Sequence, residues 1–539
     1  MSRPVAEVIA AELAAAGVDM LFGLPGGGPN LDLVGASADV GVRFVLTHTE
    51  TAAAIMAGTY GLLRGTVGAS LCTRGPGLAS AVNGMAQATL DRFPLVLFAD
   101  AVPSAHPVPH QRLDQLRVSE AVSVAHGVGG GGDAAVVVRD ALVRARTAPR
   151  GAVHLDVDAS ASASFLTVAS RAAAAAPHRG EAVDRAALAR LVDRLGSARR
   201  PVVIAGLDAL DASAAVRSLV AALGCPALVT YQAAGMIPHG ASAYGGLFTN
   251  GASERPLLDQ ADLVVAVGVD PVEPIPGPWR GAAPVLELAA VDHDAPFFPA
   301  AERTVAPLGP LLDALNTALT APGRGAPASA ASRWPADAGR RHDDAVRAAL
   351  RRSASAALGP DRVVEAVAAA LPQARATVDA GAHFLVAMPL WPAAEPNDVL
   401  ISNGLATMGF ALPAAIGAAL AEPDRAVVCF VGDGGLSICL GELETLARLG
   451  LDVTVVVLND ATLSLIALKQ GPAHGGAAAV RFGPVDYAQI AGGFGISAHV
   501  VDDEESLGWA LSAGGRGPRL IDARVDPAVY SSALQVTRG

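Results

Sequence analysis

Residues 426–434 read Ala-Val-Val-Cys-Phe-Val-Gly-Asp-Gly, and residues 453–459 read Val-Thr-Val-Val-Val-Leu-Asn. Each is an apolar, β-branched run that predicts a buried strand, and the strands deliver Asp433 and Asn459. A helical pattern at 441–449 separates them, and such a crossover brings both strand ends to one sheet edge. A carboxylate and an amide oxygen there suit Mg²⁺, and Gly434 lets a phosphate approach the backbone. The motif predicts a magnesium-diphosphate site, although Gly-Asp-Gly also occurs in plain turns.

Composition excludes several classes of protein. The 539 residues carry a formal net charge of −12 with no block of like charge, which argues against nucleic-acid partners and membrane surfaces. No uninterrupted apolar run reaches about 18 residues. The four cysteines lie in apolar contexts without CxxC spacing, and the first residues lead into an amphipathic helical pattern rather than a signal peptide. We expect a cytoplasmic protein with reduced thiols.

Alternating strand and helix patterns divide the chain into three blocks. The alternation predicts an α/β fold of three doubly wound parallel-sheet domains in series, at residues 1–165, 181–320 and 355–539. Stretches rich in small residues, 166–180 and 321–332, predict a linker and an exposed tether between them. The predicted strands of the first two blocks are 20–23, 43–46, 68–73, 94–99, 201–205, 226–230, 262–268 and 284–288.

This layout, the Gly-Asp-Gly motif with its later Asn459, and the run Ser-Asn-Gly-Leu-Ala-Thr-Met-Gly-Phe-Ala-Leu-Pro at 402–413 resemble thiamine-diphosphate enzymes. The resemblance is to the branch of acetolactate synthase, pyruvate oxidase and benzoylformate decarboxylase, and most of all to the acetolactate synthase large subunit. It implies a pyrimidine-binding first domain and a third domain that binds diphosphate and Mg²⁺. The metal ligands it implies are Asp433, Asn459 and the backbone carbonyl of Ala461.

Thiamine diphosphate is activated by a carboxyl group hydrogen-bonded to its aminopyrimidine ring. Within Thr-His-Thr-Glu-Thr-Ala-Ala-Ala at 47–54, the resemblance assigns this catalytic role to Glu50. The family usually has His directly before Glu, whereas a Thr separates His48 from Glu50 here. A plain first-turn helix position, favoured by the helix dipole, is the alternative. The turn Gly-Leu-Pro-Gly-Gly-Gly at 23–28 resembles the one that brings Pro25 and Gly26 to the cofactor.

The third block contributes further cofactor contacts implied by the resemblance. The diphosphate would meet Ala382, His383, Gly432, Gly434 and Gly435, besides the metal ligands. Met408 corresponds to the large apolar residue that wedges beneath the cofactor. The alternatives are a hydrogen-bonded core histidine for His383 and ordinary core packing for Met408.

Four residues are candidates for substrate contact: Gly27, Thr73, Gln111 and Lys469. Thr73 lies in Thr-Arg-Gly-Pro-Gly, a turn similar to that of acetolactate synthases, where several simple decarboxylases have a histidine. Gln111 matches an active-site glutamine of acetolactate synthases, with a solvated loop as the alternative. Lys469 lies in a helix expected over 462–470 and is the single lysine of this arginine-rich chain. Its compact ammonium suits a carboxylate, and a solvated helix charge is the alternative.

These residues predict a carboligase that acts on pyruvate or a related 2-oxo acid and a carbonyl acceptor. The alternatives are a non-oxidative 2-oxo-acid decarboxylase of the benzoylformate type and an inactive paralogue with a binding or regulatory role. Relatives hold FAD in the middle domain, but Ala-Gly-Leu-Asp-Ala at 205–209 offers one glycine where several are common, so FAD is doubtful. Because Glu50 and the metal motif meet across a subunit interface in the family, we expect a homodimer or homotetramer.

Overall fold

The structure, a computed structural model, describes residues 4–102, 110–158, 161, 163–169, 175–177, 184–321, 332–351, 357–471, 473–474, 476–513 and 515–539. Three large sheets follow one another along the chain, and their strands alternate with helices. All pairings inside these sheets are parallel except that of the last strand of the first sheet. The fold is therefore the predicted series of α/β layers.

The first sheet has the strand order β2-β1-β3-β4-β6-β5-β7. Its last strand pairs antiparallel and begins at Phe165, so it extends the first sheet beyond the point where we expected the first domain to end. The strands are β1 Met20–Leu24, β2 Arg43–Leu46, β3 Gly68–Cys72, β4 Leu95–Asp100, β5 Ala125–Gly129, β6 Ala152–Val157 and β7 Phe165–Val168.

The middle sheet has the order β11-β10-β9-β12-β13-β15, and β8 and β14 form a separate antiparallel pair. Part of the expected 166–180 linker is thus paired structure, whereas most of 321–332 lies outside the described residues. The strands are β8 Ala175–Pro177, β9 Pro201–Ala205, β10 Ala227–Val229, β11 Tyr244–Leu247, β12 Leu263–Val267, β13 Val285–Ala289, β14 Val291–His293 and β15 Glu302–Val305.

The third sheet has the order β17-β16-β18-β19-β21-β20. The predicted strands before Asp433 and Asn459 are its two central neighbours. The strands are β16 Arg375–Val378, β17 Val399–Ile401, β18 Val427–Gly432, β19 Val453–Asn459, β20 Ser497–Val501 and β21 Arg519–Arg524.

The α-helices cover the sheets. Those of the first domain are Val5–Ala15, Pro29–Asp39, Glu50–Arg64, Pro76–Leu90, Gln115–Glu120 and Ala134–Arg146. Those of the middle domain are Arg185–Ser197, Ser213–Leu223, Arg255–Leu258 and Leu308–Thr320. The remaining ones are Ala338–Leu350, Pro360–Ala370, Phe384–Leu390, Ala411–Ala421, Asp433–Ile438, Glu442–Leu449, Ser464–Lys469, Tyr487–Gly493, Glu504–Ser512 and Ala528–Arg538.

Consecutive strand residues enter different cores, as burial on both faces of a parallel sheet requires. In β1, Leu21 packs into one cluster and Phe22 into another, and in β18 Val428 and Cys429 divide in the same way. One of these clusters is continuous from the first domain to the third. There the backbone of helix Ala411–Ala421 comes so close to helix Glu50–Arg64 that a Cβ on Gly417 would meet the Met56 carbonyl oxygen at 2.5 Å.

Helix boundaries depart from the sequence pattern at two places in the third domain. An additional helix begins at Asp433 itself, so Gly434 and Gly435 are helical rather than loop residues. The helix expected over 462–470 is shorter, Ser464–Lys469, because a turn at Asp460 and Thr462 precedes it. Among the described residues, every helix is too short or too polar to cross a bilayer.

Candidate active site

Glu50 lies at the carboxyl edge of the first sheet, immediately after β2. It is the first residue of its helix, and Thr49 caps that helix by accepting a hydrogen bond from Ala52 N at 3.1 Å. The side chain of Glu50 is buried, and its Oε1 lies 3.3 Å from the position of a Cβ on Gly77. The helix start therefore delivers a buried carboxyl group beside the turn that follows β3.

Turns after the neighbouring strands β1 and β3 surround this carboxyl group. Thr73 is packed so tightly against Gly26 that no Cβ could be added there. Asn30 holds the same turn, because its Oδ1 accepts a hydrogen bond from Gly26 N at 2.8 Å and its Nδ2 donates to Asp100 at 2.7 Å. Pro25 is partly buried, and Gly27 is exposed. The structure thus brings Glu50, Gly26 and Thr73 to one sheet edge.

Gln111 joins this edge through its backbone. Its carbonyl oxygen would lie 2.5 Å from a Cβ on Gly75, which has a φ of +67°. Gly75 N donates a hydrogen bond to Gln115 Oε1 at 2.7 Å, so a buried side chain also holds the turn. Only glycine satisfies both the backbone angle and the close approach. Gln111 is therefore beside the Thr73 turn rather than in a detached loop.

Asp433 and Asn459 lie next to each other at the carboxyl edge of the third sheet. Gly432 and Leu458 are register partners in the parallel pair β18–β19, so the next residues, Asp433 and Asn459, lie side by side at the sheet edge. Asn459 Nδ2 donates to Asp522 Oδ1 at 2.8 Å and to Val485 O at 3.3 Å. These bonds commit the amide nitrogen to the protein, and Oδ1 is the atom of Asn459 that suits a cation.

The electrostatics of Asp433 also suit a cation. Its side chain is buried, and burial raises the pKa of its carboxyl group to about 6, an effect that the nearby Asp460 reinforces. Gly434 N donates to Asp433 Oδ1 at 2.8 Å and opposes the shift. A divalent cation at this carboxyl group would offset the cost of burying its charge.

Ala461 lies in a constrained turn beside these two residues. Its φ is +55°, and its carbonyl oxygen accepts a hydrogen bond from Phe482 N at 2.9 Å. A carbonyl oxygen has two lone pairs, so this bond leaves one for a metal. Asp460 fixes the turn by accepting hydrogen bonds from Thr462 N at 3.0 Å and from Ser464 Oγ.

His383 follows β16 on the other side of β18. It is buried, desolvation lowers its pKa to about 4, and its Nε2 has no hydrogen-bond partner among the described residues. A Cβ on Gly432 would lie 3.4 Å from His383 Nδ1, so the ring reaches the strand that carries Asp433. Ala382, the preceding residue, is buried too. An orphaned, neutral imidazole nitrogen at this edge suits a polar ligand.

Met408 and Gly434 approach each other closely. A Cβ on Gly434 would meet Met408 Cε at 3.4 Å and Leu463 Cδ2 at 3.0 Å. Gly435 is equally constrained, because a Cβ there would collide with Asp379. The methionine side chain thus lies over the start of helix Asp433–Ile438.

Lys469 ends a helix that has no buried residue. It is exposed, and it makes no ion pair within the parts of the chain that the structure describes. Among the described residues, no hydrogen bond or ion pair joins Lys469 to another candidate residue. Its role in substrate contact stays a prediction.

Within one chain, hydrogen bonds join the flanks of the first-domain and third-domain groups. His48 N and Thr49 N both donate to Glu442 Oε1, at 2.9 and 3.1 Å, and the His48 ring lies 2.8 Å from Glu444. Among the described residues, no hydrogen bond joins Glu50 to Asp433, Asn459 or His383. Residue His48 is thus an inter-domain contact.

Sequence reasoning missed Asp379, which lies beneath the third-domain group. Its buried carboxylate accepts hydrogen bonds from Gly409 N at 2.9 Å, Phe410 N at 3.3 Å and Ala380 N at 2.8 Å. Burial nevertheless raises its pKa to about 7. Its position directly after β16 is the same strand-end signal that identified Asp433.

The middle sheet has a different arrangement at its topological switch point, between β9 and β12. The buried carboxylate of Glu273 accepts hydrogen bonds from Leu207 N and Asp270 N, both at 3.0 Å. These amides belong to the turns after β9 and β12, where a dinucleotide phosphate would bind in such a sheet. The residues present do not fit a flavin dinucleotide.

Three protein-family models match the chain in order. They are the N-terminal TPP binding domain of thiamine pyrophosphate enzymes at residues 3–118, the central domain at 188–314 and the C-terminal TPP binding domain at 379–523. They follow the order of the three sheets.

Curated relatives agree with these matches. The acetolactate synthase of Bacillus subtilis (strain 168) is 30% identical, over 97% of this chain and 93% of its own length. The catabolic acetolactate synthase of Raoultella terrigena is 31% identical, over 97% and 95%. A probable 2-ketoarginine decarboxylase of Pseudomonas aeruginosa is 30% identical, over 83% and 81%. With its two sheet-edge groups and its three matched domains, the chain belongs to the thiamine pyrophosphate enzymes.

Proposed function

We propose that this protein is a thiamine-diphosphate-dependent carboligase. It would decarboxylate pyruvate or a related 2-oxo acid and join the remaining fragment to a second carbonyl compound, as acetolactate synthases do. The observation that carries this proposal is the similarity to several acetolactate synthases over nearly the whole chain. The two groups of residues at the edges of the first and third sheets support it.

The third-domain group fits thiamine diphosphate with Mg²⁺. Asp433, Asn459 Oδ1 and the Ala461 carbonyl are the hard oxygen donors that would hold the metal. The remaining contacts with the cofactor are proposed for the orphaned ring of His383, the side chain of Met408, and the backbone of Ala382, Gly432, Gly434 and Gly435. The buried, unpartnered nitrogen of His383 supports this fit independently of the metal.

The first-domain group fits the pyrimidine part of the cofactor. We assign Glu50 to hold and move a proton at its buried carboxyl group, and Pro25 and Gly26 to line the ring. When bound, thiamine diphosphate supplies the nucleophilic carbon and the electron sink that decarboxylation of a 2-oxo acid requires. Substrate contacts are proposed for Gly27, Thr73, Gln111 and Lys469, and the position of Thr73 beside Gly26 favours its role most.

We further propose that the chain works without FAD. Glu273 already accepts hydrogen bonds from the backbone amides of Leu207 and Asp270, so these amides are not free to bind a phosphate. We also propose a cytoplasmic location, because all four cysteines are free and buried. The domain limits 1–165, 181–320 and 355–539 remain predictions, with helix Ala338–Leu350 between the last two.

The active unit is proposed to be a homodimer or a homotetramer. Apolar side chains surround Gly434, and two apolar residues near it, Ile438 and Phe482, are 59% and 49% exposed. A second copy that brings its own Glu50 to this edge would cover them. A fully active monomer at micromolar concentration would contradict this assembly.

One further candidate activity has a specific observation in its favour. Similarity to a probable 2-ketoarginine decarboxylase makes simple decarboxylation of a 2-oxo acid the second candidate. An inactive paralogue is the third, and it would show no cofactor-dependent release of CO₂.

Product analysis distinguishes the three. Purified protein would be incubated with thiamine diphosphate, Mg²⁺ and pyruvate, with and without an added aldehyde, beside the Glu50→Gln variant. We expect acetolactate or a mixed acyloin, lost in the variant. Free aldehyde as the sole product would identify a decarboxylase, and no turnover of several 2-oxo acids would leave the inactive paralogue.

A further inference from the structure

Asp91 binds the first domain to the third. It follows helix Pro76–Leu90, and its carboxylate is completely buried. It accepts hydrogen bonds from Ser402 Oγ at 2.8 Å, Asn403 N at 3.0 Å and Gly404 N at 2.6 Å. All three donors belong to residues 402–410, the segment between β17 and helix Ala411–Ala421, which we call the wedge loop because it carries Met408.

Arg92, the next residue, binds the middle domain. Its guanidinium donates to Asp270 through Nε at 2.6 Å and through Nη2 at 3.1 Å. The third and middle domains are joined as well, because Asn403 Nδ2 of the wedge loop donates to the backbone carbonyl of Glu273 at 2.9 Å. Each of the three domains is thus bonded directly to the other two at this junction.

The backbone at this junction is tightly packed and partly strained. A Cβ on Gly404 would lie 2.6 Å from the Leu90 carbonyl oxygen and 2.9 Å from Val272 Cγ2, in the first and middle domains. Arg92 has a φ of +64° and Ala406 a φ of +54°, values that cost energy for residues other than glycine. Such backbone persists only where the surrounding contacts determine it.

The same loop reaches the cofactor site. Thr407, just before Met408, accepts a hydrogen bond from Asn83 Nδ2 at 2.8 Å, and Gly409 N is held by Asp379. Met408 therefore lies between two residues that are held by hydrogen bonds, and the start of its loop is held by Asp91. Loss of the Asp91 bonds would free the start of the loop from the first domain and leave the bond from Asn83 to Thr407.

We propose that Asp91 is a positioning residue for the cofactor site: it sets the wedge loop, and hence Met408, relative to Gly434 at the start of its helix. This role rests on the proposed function, because Met408 matters only if a cofactor lies against it. Arg92 and Asp270 hold Asp91 in turn by fixing its neighbour to the middle domain.

The test is the affinity of the Asp91→Asn variant for thiamine diphosphate at saturating Mg²⁺, measured by isothermal titration calorimetry. The asparagine side chain keeps the shape of the aspartate, but its NH₂ group cannot accept the hydrogen bonds that the replaced carboxylate oxygen accepted. We expect a dissociation constant raised about tenfold or more, because a buried donor is left unpaired. At saturating cofactor the kcat of Asp91→Asn should be within about threefold of the wild-type value, since bound cofactor reorders the wedge loop.

Asp398→Asn is the matched control. Asp398 is a buried carboxylate at the opposite end of β17, and it accepts hydrogen bonds from Ala394 N and Glu395 N at 2.9 and 2.8 Å. Its loss should lower the melting temperature without changing cofactor affinity. Ser402→Ala is the second variant, in case Asp91→Asn does not fold. It removes one donor from Asp91, and we expect a smaller rise in the dissociation constant than for Asp91→Asn.

The outcomes separate this assignment from the proposed function. Unchanged cofactor affinity in both Asp91→Asn and Ser402→Ala would overturn it, as would an equal loss of affinity in Asp398→Asn. A wild-type protein that binds the cofactor but forms no acetolactate or acyloin overturns only the proposed reaction. The affinity comparison still decides the role of Asp91 in that case.

Discussion

The carboxylate of Asp379 accepts a hydrogen bond from the backbone of Gly409 at 2.9 Å, and so ties the end of β16 to the segment that carries Met408. The same carboxylate lies against Gly435, where a Cβ would collide with it. Two loops and the start of helix Asp433–Ile438 at the carboxyl edge of the third sheet therefore share one buried acid. This acid sets the spacing between Met408 and that helix.

The stability of the protein should depend on the titration of Asp379. Burial raises the pKa of Asp379 to about 7, so between its ordinary value and 7 the folded state holds a proton that the unfolded state has lost. The contribution of this group to the free energy of unfolding therefore falls as the pH rises from about 4 to about 7, by at most about 1.4 kcal/mol per pH unit. Melting temperatures of wild type and Asp379→Asn across this range would measure it. A constant difference between the two proteins at every pH would contradict the assignment.

Asp433→Asn should weaken Mg²⁺ binding more than it weakens the fold. It removes the charged ligand of the proposed metal site while keeping its size, and it also relieves a buried carboxyl group whose pKa is raised to about 6. We expect Mg²⁺-dependent binding of thiamine diphosphate to fall about a hundredfold, with an unchanged or higher melting temperature for the apoprotein.

Asp486→Asn is the control for that change. Asp486 caps helix Tyr487–Gly493 in the same domain by accepting a hydrogen bond from Gln489 N at 2.8 Å. Asparagine is an equally good cap, so metal binding should not change. Equal Mg²⁺ affinity in Asp433→Asn and wild type would exclude Asp433 as a ligand.

Gly434→Ala should disturb the cofactor site through a single methyl group. The new Cβ would lie 3.0 Å from Leu463 and within 3.4 Å of Phe482 and Met408, so at least one of these side chains must move. We expect a loss of cofactor affinity of about tenfold. Gly508→Ala, inside helix Glu504–Ser512, has open space around its Cβ and should stabilise the protein by about 0.5–1 kcal/mol without affecting binding.

The purified protein should be colourless. Glu273 occupies the amides that a flavin dinucleotide would need, and burial raises the pKa of its carboxyl group to about 8. Near-neutral pH therefore leaves this group largely protonated, but its oxygens still accept both amide hydrogens. Visible absorption after expression in a flavin-replete host, and fluorescence of the supernatant after denaturation, check this. Stoichiometric release of flavin would refute it.

Sequence pattern alone determined the α/β alternation and the strands that lead to Asp433 and Asn459, whereas Glu50 was assigned by resemblance to a family. These signals are local, because a buried strand must be apolar and a residue at its end is held at the sheet edge. Asp379 was within reach of the same rule, since it directly follows β16. The edge strands were harder to find: β7 pairs antiparallel and is half exposed, so it lacks a continuous apolar run.

Only the tertiary structure decided which polar side chains act on one another. More than 300 residues separate Asp91 from its donors Ser402, Asn403 and Gly404. Neither stretch of sequence has a pattern that predicts contact with the other. The occupation of the Leu207 amide by Glu273 depends likewise on how β9 and β12 meet. Local sequence sets backbone conformation and the apolar period, whereas the pairing of buried charges follows from the packing of whole domains.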